Sequence, residues 1–126
     1  MVARSIAQLD LPVIAAVEGY ALCGGAILAL SCDLVVSASD ARWALPEVPN
    51  GWLPPWGLEA LMSRVGLVWA QALVWGAFDC DGGEAHRLGL ADQICDPGAA
   101  LATARVLAAR LAERPPAAMI STKRYF

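Results

Sequence analysis

Two short stretches of this sequence carry the residue types that anion stabilisation and acid–base chemistry require. One contains the pair Gly24-Gly25 between two apolar segments, and the other contains Glu47 in a loop rich in proline. The first N–H groups of a helix have no intrahelical partners and stabilise an anionic oxygen, and glycine lets a ligand approach them closely. Residues 12–33 therefore predict an oxyanion site. The alternative is that the glycines only permit a tight strand-to-helix junction.

Glu47 is the candidate general base. Pro46 and Pro49 exclude regular secondary structure on either side of it. The apolar residues around it in the sequence are Trp43, Leu45, Val48 and Trp52. Burial among apolar groups raises the pKa of a carboxyl group, which suits a base that works near neutral pH. A solvated loop glutamate without a catalytic role is the simpler alternative.

The segment GWLPPWG at residues 51–57 predicts a stiff aromatic loop. Trp52, Pro54 and Trp56 are candidates for lining a pocket that holds an acyl chain. Filling the core or a subunit interface is an equally good use of the two tryptophans.

The four cysteines show neither CxxC spacing nor a pair of histidines, since His86 is the only histidine. Zinc and a disulfide framework are therefore disfavoured, and free thiols are expected. Cys23 alone has a functional alternative because it lies beside the glycine pair, although no second histidine is available to activate it as a nucleophile.

Composition limits the function classes. Hydrophobic residues make up 58% of the 126 residues and charged residues only 17%, so we expect a protein that oligomerises or forms part of something larger. The net charge of −3 and the lack of basic runs disfavour nucleic-acid binding. The longest apolar stretches, residues 20–32 and 65–78, are shorter than the ~18 residues that a membrane span needs. No signal-peptide pattern is convincing, so a cytoplasmic location is expected.

Hydrophobic periodicity and the positions of Gly and Pro predict an alternation of strands and helices. Predicted strands are residues 12–17, 33–39, 42–45 and 91–95. Predicted helices are residues 2–9, 22–32, 58–65, 67–75, 81–88, a long segment that starts after 98, and 117–126.

Three blocks of sequence resemble the crotonase family of enoyl-CoA hydratases and isomerases. They are PVIAAVEGYALCGGAILALSCDLVVSAS, ARWALPEVPNGWLP and GGEAHRLGLADQI. The resemblance implies an α/β fold of the ClpP/crotonase type, a spiral of ββα units with a helical C-terminal region. Residues 1–97 would be part of the core, and residues 98–126 would begin the helical region. The chain lacks the family's N-terminal part and its last helices, so a partial fold is expected.

The resemblance also implies a substrate and a site. Family members act on acyl-CoA thioesters, form trimers or hexamers, and need no cofactor or metal, because coenzyme A belongs to the substrate. Gly24 would supply one of two N–H donors to a thioester enolate, and Glu47 would be the catalytic acid/base. Cys23, Gly25 and Ile27 would lie at the substrate, together with the 51–57 loop. The second oxyanion donor belongs to an earlier segment of the family.

One departure from the family pattern bears on the reaction. Hydratases commonly carry a second glutamate three residues after the oxyanion glycine, and this sequence has Ile27 there. The sequence therefore favours an isomerase-type double-bond shift with Glu47 as the single acid/base. The alternatives are an enoyl-CoA hydratase and a truncated, non-catalytic chain that acts only in assembly.

Overall fold

The computed structural model describes residues 2–54 and 56–126, in which pairs of short strands alternate with helices. The elements are α1 (Val2–Gln8), β1 (Ile14–Val17), β2 (Tyr20–Leu22), α2 (Gly24–Leu30), β3 (Leu34–Ala38), β4 (Arg42–Ala44), α3 (Leu58–Val74), β5 (Cys80–Asp81), α4 (Gly82–Leu88), β6 (Gln93–Cys95), α5 (Ala100–Ala112) and α6 (Pro116–Tyr125). Two successive β-β-α units, β1-β2-α2 and β3-β4-α3, therefore form the first half of the chain.

The strands form two three-stranded sheets, and the first four strands alternate between them. In the first sheet β3 lies between β1 and β6, and all pairs are parallel. In the second sheet β4 lies between β2 and β5, parallel to β2 and antiparallel to β5. This alternation is the ββα arrangement that the sequence predicts.

The core forms where the sheets and helices meet. Val35 and Val36 on the central strand β3 are fully buried, as expected for a parallel strand that is covered on both faces. Trp43 on β4 is also buried, and its indole N–H donates to the Oγ of Ser37 at 3.1 Å. This hydrogen bond satisfies the polar group of the largest buried side chain and joins the two sheets.

The two C-terminal helices are fixed by polar contacts with earlier parts of the chain. The Glu18 carboxylate accepts hydrogen bonds from the N–H groups of Gly98 and Ala100 at the start of α5, which packs on β1, β3 and β6. On α6, Lys123 donates to the carbonyls of Ile6 and Leu11 and pairs with a nearby carboxylate, that of Asp33, at 2.9 Å. No helix among the described residues is both long and apolar enough to cross a membrane.

The structure corrects the predicted elements at three places. Residues Cys80–Asp81 form strand β5, so the helix predicted from residue 81 begins at Gly82. Residues 20–22 form strand β2, and the following helix begins at Gly24 rather than at residue 22. The two helices predicted at 58–65 and 67–75 are merged in α3, but Gly66 inside it has non-helical angles (φ 76°, ψ 169°) and makes a kink. The predicted interruption at Gly66 is therefore real, although it is a kink inside one element.

Arg64 on α3 joins three parts of the fold from a nearly buried position, with 13% of its side chain exposed. Its guanidinium donates to the carbonyl of Leu30, the last residue of α2, and to those of Cys32 and Asp33 in the turn that follows. It also reaches the Leu90 carbonyl and the carboxylate of Asp92 at 3.0 Å. The same Asp92 oxygen accepts the N–H of Val35 on β3 at 2.7 Å. Arg64 therefore connects α2, α3 and the segment that leads into β6.

Replacing Arg64 by Met should lower the free energy of unfolding by about 2 kcal/mol, because several partly buried carbonyls lose their donor and the carboxylate of Asp92 loses its charged partner. Arg87→Met is the matched control, since the Arg87–Glu84 pair is exposed and should contribute at most about 1 kcal/mol. Urea denaturation of both variants checks the difference. Equal losses would contradict the role given to Arg64.

Candidate active site

The candidate site forms where the parallel strands β2 and β4 end side by side. Their last register pair is Leu22 with Ala44. The next N–H, from Cys23, still donates to the Ala44 carbonyl at 3.0 Å. Beyond this hydrogen bond β2 continues into α2, and β4 continues into the loop that carries Glu47. Parallel pairing therefore brings the glycine turn and the glutamate to the same edge of the sheet.

Gly24 and Gly25 lie in the first turn of α2 and are exposed. They precede the first hydrogen bond of the turn, from the N–H of Ile27 to the carbonyl of Cys23 at 3.2 Å. A Cβ atom built at either glycine would meet nothing within 4 Å in the part of the chain that the structure describes. The surface above these two residues is therefore open and leaves space for a ligand.

Glu47 is held by backbone contacts within its own loop. Its carbonyl accepts the N–H of Trp52 at 2.7 Å, and the side-chain amide of Asn50 donates to the Pro46 carbonyl at 2.7 Å. The residue is half-buried. Its Oε2 atom is buried and has no hydrogen-bond partner among the described residues. The loop thus presents a carboxylate with one oxygen removed from water.

Cys23 joins the two halves of the site. Its thiol lies beside the carboxylate of Glu47, and burial of the thiol together with this acidic neighbour raises the pKa of Cys23. Its backbone (φ 52°, ψ −128°) is the one positive-φ case outside glycine in the described chain. Only the proximity of Cys23 to the glycine pair in the sequence pointed to this contact.

Ile27 lies beneath the site and has no exposed surface. A Cβ built on Gly57 would come within 2.8 Å of the Ile27 Cγ2 atom, so the two residues are closely packed. Position 27, predicted to lie at the substrate, therefore supplies a buried apolar side chain. It places no second carboxylate beside Glu47.

The predicted aromatic loop projects away from the sheets. The exposed fraction is 66% for Trp52 and 53% for Trp56, and Pro54 is exposed as well. These residues do not enclose a pocket with Glu47 in the described chain, and Pro55 lies outside the described residues. A cleft of about 1220 Å³ includes Trp56, and its other walls lie on α1, α3, α5, α6 and the segment from the end of α2 into β3. Its lining contains neither Gly24 nor Glu47. We therefore place the candidate site at the strand ends and not in this cleft.

All four cysteines are free thiols, as expected from their spacing. His86 is exposed on α4, apart from the strand ends where the site forms. Within residues 2–54 and 56–126, no three His, Cys, Asp or Glu side chains come together as metal ligands.

Comparison with known proteins identifies the family. The family model described as Enoyl-CoA hydratase/isomerase matches residues 2–126. The short-chain-enoyl-CoA hydratase of Clostridium acetobutylicum is 37% identical over 121 residues, which are 95% of this chain and 46% of that protein. The 2,3-dehydroadipyl-CoA hydratase of Escherichia coli is 36% identical over 113 residues, 89% of this chain and 44% of that protein.

Solved structures give the same result. An enoyl-CoA hydratase from Polaromonas sp. JS666 has a TM-score of 0.89 at 36% identity, covering 97% of this chain and 48% of that one. The enoyl-CoA hydratase EchA1 from Mycobacterium marinum has a TM-score of 0.85 at 40% identity, covering 91% and 46%. This chain belongs to the enoyl-CoA hydratase/isomerase family and has the crotonase fold. It spans about half the length of the relatives it matches.

The open surface at the glycine pair gives a test. Gly24→Ala and Gly25→Ala should leave the free energy of unfolding unchanged or raise it by up to about 1 kcal/mol, because alanine favours helix and its methyl group meets no neighbour here. Gly82→Ala is the contrasting control, since its Cβ would overlap the backbone carbonyl of Ala38.

Urea denaturation of the three variants measures these effects. Marked destabilisation by either alanine in α2 would mean that the glycines serve the strand-to-helix junction rather than a ligand.

Proposed function

We propose that this chain carries the oxyanion helix and the acid/base of an acyl-CoA-processing site in which Glu47 is the single catalytic carboxylate. The observation that carries the proposal is that Glu47 is half-buried at the strand ends, whereas position 27 holds the fully buried, apolar Ile27 and no second carboxylate. Membership of the enoyl-CoA hydratase/isomerase family supports an acyl-CoA thioester as the substrate.

The proposed reaction is the shift of a double bond from C3–C4 to C2–C3 of an enoyl-CoA. Glu47 would take a proton from C2 of the thioester, and the N–H of Gly24 would donate to the enolate oxygen that forms. One such donor typically contributes ~3 kcal/mol of transition-state stabilisation. Glu47 would then return the proton at C4. This sequence needs one base that acts twice, so a second carboxylate is not required.

Hydration is the second candidate, and the names of the relatives favour it. The C. acetobutylicum and E. coli relatives are both named as hydratases. Addition of water across the double bond is usually attributed to two carboxylates that position and activate the water. A buried isoleucine at position 27 weighs against that arrangement here. The products separate the two reactions: a 3-enoyl-CoA substrate gives a 2-enoyl-CoA by isomerisation, and a 2-enoyl-CoA gives a 3-hydroxyacyl-CoA by hydration.

We further propose that other copies of the chain cover part of its apolar surface. Several large apolar side chains are exposed, among them Leu53, Val68 and Trp75. Covering by further copies, in the trimer or hexamer that the resemblance implies, would bury such side chains. We also propose that the protein acts in the cytoplasm.

Replacing Glu47 by Gln should slow exchange of the substrate's C2 proton with solvent by at least about a hundredfold, because the glutamine cannot accept the proton. Incubation of butyryl-CoA in D₂O, followed by mass spectrometry of the thioester, measures the exchange. Glu113→Gln is the matched control, since Glu113 is an exposed residue at the end of α5 and should leave exchange unchanged. Exchange at the wild-type rate in the Glu47 variant would refute the assignment.

Binding of an acyl-CoA thioester distinguishes an enzyme from a non-catalytic chain that acts only in assembly. Acetyl-CoA should raise the melting temperature of the chain in a concentration-dependent way, because a ligand that binds only the folded state stabilises it by mass action. Differential scanning fluorimetry measures this shift, and desulfo-coenzyme A serves as the comparison for nucleotide binding without the thioester. An unchanged melting temperature at saturating acetyl-CoA would favour the non-catalytic alternative.

A further inference from the structure

Helix α6 lies on the fold without burying any of its own residues. Met119, Ile120 and Lys123 are half-buried, and the other residues of the helix are exposed. Helix α5, by contrast, buries Ala100 and Ala104 and packs on β1, β3 and β6. A helix of ten residues is only marginally stable without tertiary packing. The position of α6 therefore depends on the few contacts that it does make.

The inner face of α6 lines two adjoining cavities. Met119 of α6, Leu111 of α5 and Pro12 before β1 line both the cleft of about 1220 Å³ and a second cavity of about 300 Å³. We call the two cavities together the trough. The other residues of α6 in its walls are Pro116, Ile120, Thr122 and Lys123. Side chains that face a cavity lose the dispersion contacts of a close-packed interior, so packing holds α6 weakly.

Lys123 holds the C-terminal end of α6 from a nearly buried position. Its side chain is 9% exposed, and its ammonium group lies 2.9 Å from the carboxylate of Asp33 in the turn after α2. The ammonium group also donates to the carbonyls of Ile6, in the last turn of α1, and of Leu11. Asp33 is itself fixed, because its Oδ2 accepts the N–H of Val13 at 2.7 Å. Three separate segments thus use the three donors of one ammonium group.

The next residue, Arg124, makes a different kind of contact. It pairs with Asp10 at 2.8 Å, but the two side chains are 67% and 53% exposed. Exposed ion pairs contribute little to stability, whereas removing one partner of a nearly buried pair is costly. At the other end of the helix, Pro115 and Pro116 have no N–H groups that could donate to neighbouring segments. Lys123 therefore makes the strongest polar contact of α6, at the end opposite its connection to α5.

We propose that α6 is a hinged strap, latched at Lys123 and connected to α5 through residues 113–115, that opens as a unit over the trough. In the closed state Lys123 is bonded to Asp33, and the strap covers the trough. Opening breaks the contacts of Lys123 and uncovers Leu111 and Pro12, while α5 stays packed on the sheets. The proposal is independent of the acid/base role proposed for Glu47.

Hydrogen–deuterium exchange measures this opening, because a segment that opens alone exchanges faster than the fold around it. In the wild type the amides of α6 should exchange at least about tenfold faster than those in the interior of α5. Lys123→Met should speed exchange across α6 by about another tenfold and leave α5 unchanged, because the latch is lost. Arg124→Met is the matched control on the same helix and should change exchange by less than about twofold.

Three results of this experiment would overturn the proposal. They are equal protection of α5 and α6 in the wild type, an effect of Lys123→Met no larger than that of Arg124→Met, and faster exchange throughout the chain in Lys123→Met.

Leu111→Cys tests whether the strap uncovers the trough. Leu111 is half-buried on α5 and lines both cavities. Iodoacetamide should alkylate this position about tenfold faster when Lys123→Met is also present, since reaction requires the strap to open. Peptide mass spectrometry distinguishes it from the native thiols. Ala109→Cys, at an exposed position of the same helix, is the control and should react equally fast with and without Lys123→Met.

The two measurements together distinguish a strap from a fraying helix end. If Lys123→Met speeds amide exchange in α6 but leaves alkylation at position 111 unchanged, only the last turn unwinds, and the strap is refuted. Faster alkylation at positions 109 and 111 alike would mean that α5 opens as well, which would also refute it.

Discussion

Parallel pairing of β2 with β4 is the interaction on which the candidate site depends. The strands are only three residues long, and the hydrogen bond from Cys23 to Ala44 extends their pairing by one step. Because the two strands separate only after this point, the start of α2 and the Glu47 loop leave the sheet side by side. Cys80, whose pKa burial raises to about 12, pairs with Trp43 on the other edge of β4. The short strand β4 is thus held from both sides.

The position of α2 depends on contacts at both of its ends. At its start the Cys23 backbone is attached to β4, and at its end Arg64 binds the carbonyl of Leu30 and two carbonyls of the turn that follows. Between these ends Ile27 and Leu30 are buried in the core. A helix of seven residues has few internal hydrogen bonds, so tertiary contacts rather than helix propensity determine where it lies. The direction of its first N–H groups follows from these contacts.

The sequence was sufficient to predict the family and the order of most elements, and the roles of Gly24 and Glu47 remain predictions. Strong local signals made this possible: apolar β-branched strands, the glycine pair and prolines around Glu47. Strand β2 was missed because Tyr20 to Leu22 is too short for a periodicity, and its existence depends on pairing with residues 22 positions away. The burial of Ile27 and the thiol beside Glu47 arise from tertiary packing, which no local pattern encodes.

The kink at Gly66 gives α3 two parts with different surroundings. The first part carries Arg64, which donates hydrogen bonds to carbonyls at the end of α2. The second part and its C-cap carry the exposed side chains of Val68 and Trp75. The backbone angles at Gly66 are ones that side chains with a Cβ atom rarely adopt, so glycine permits the change of direction between the two parts. One part of α3 is therefore directed into the fold, and the other presents apolar side chains on the surface.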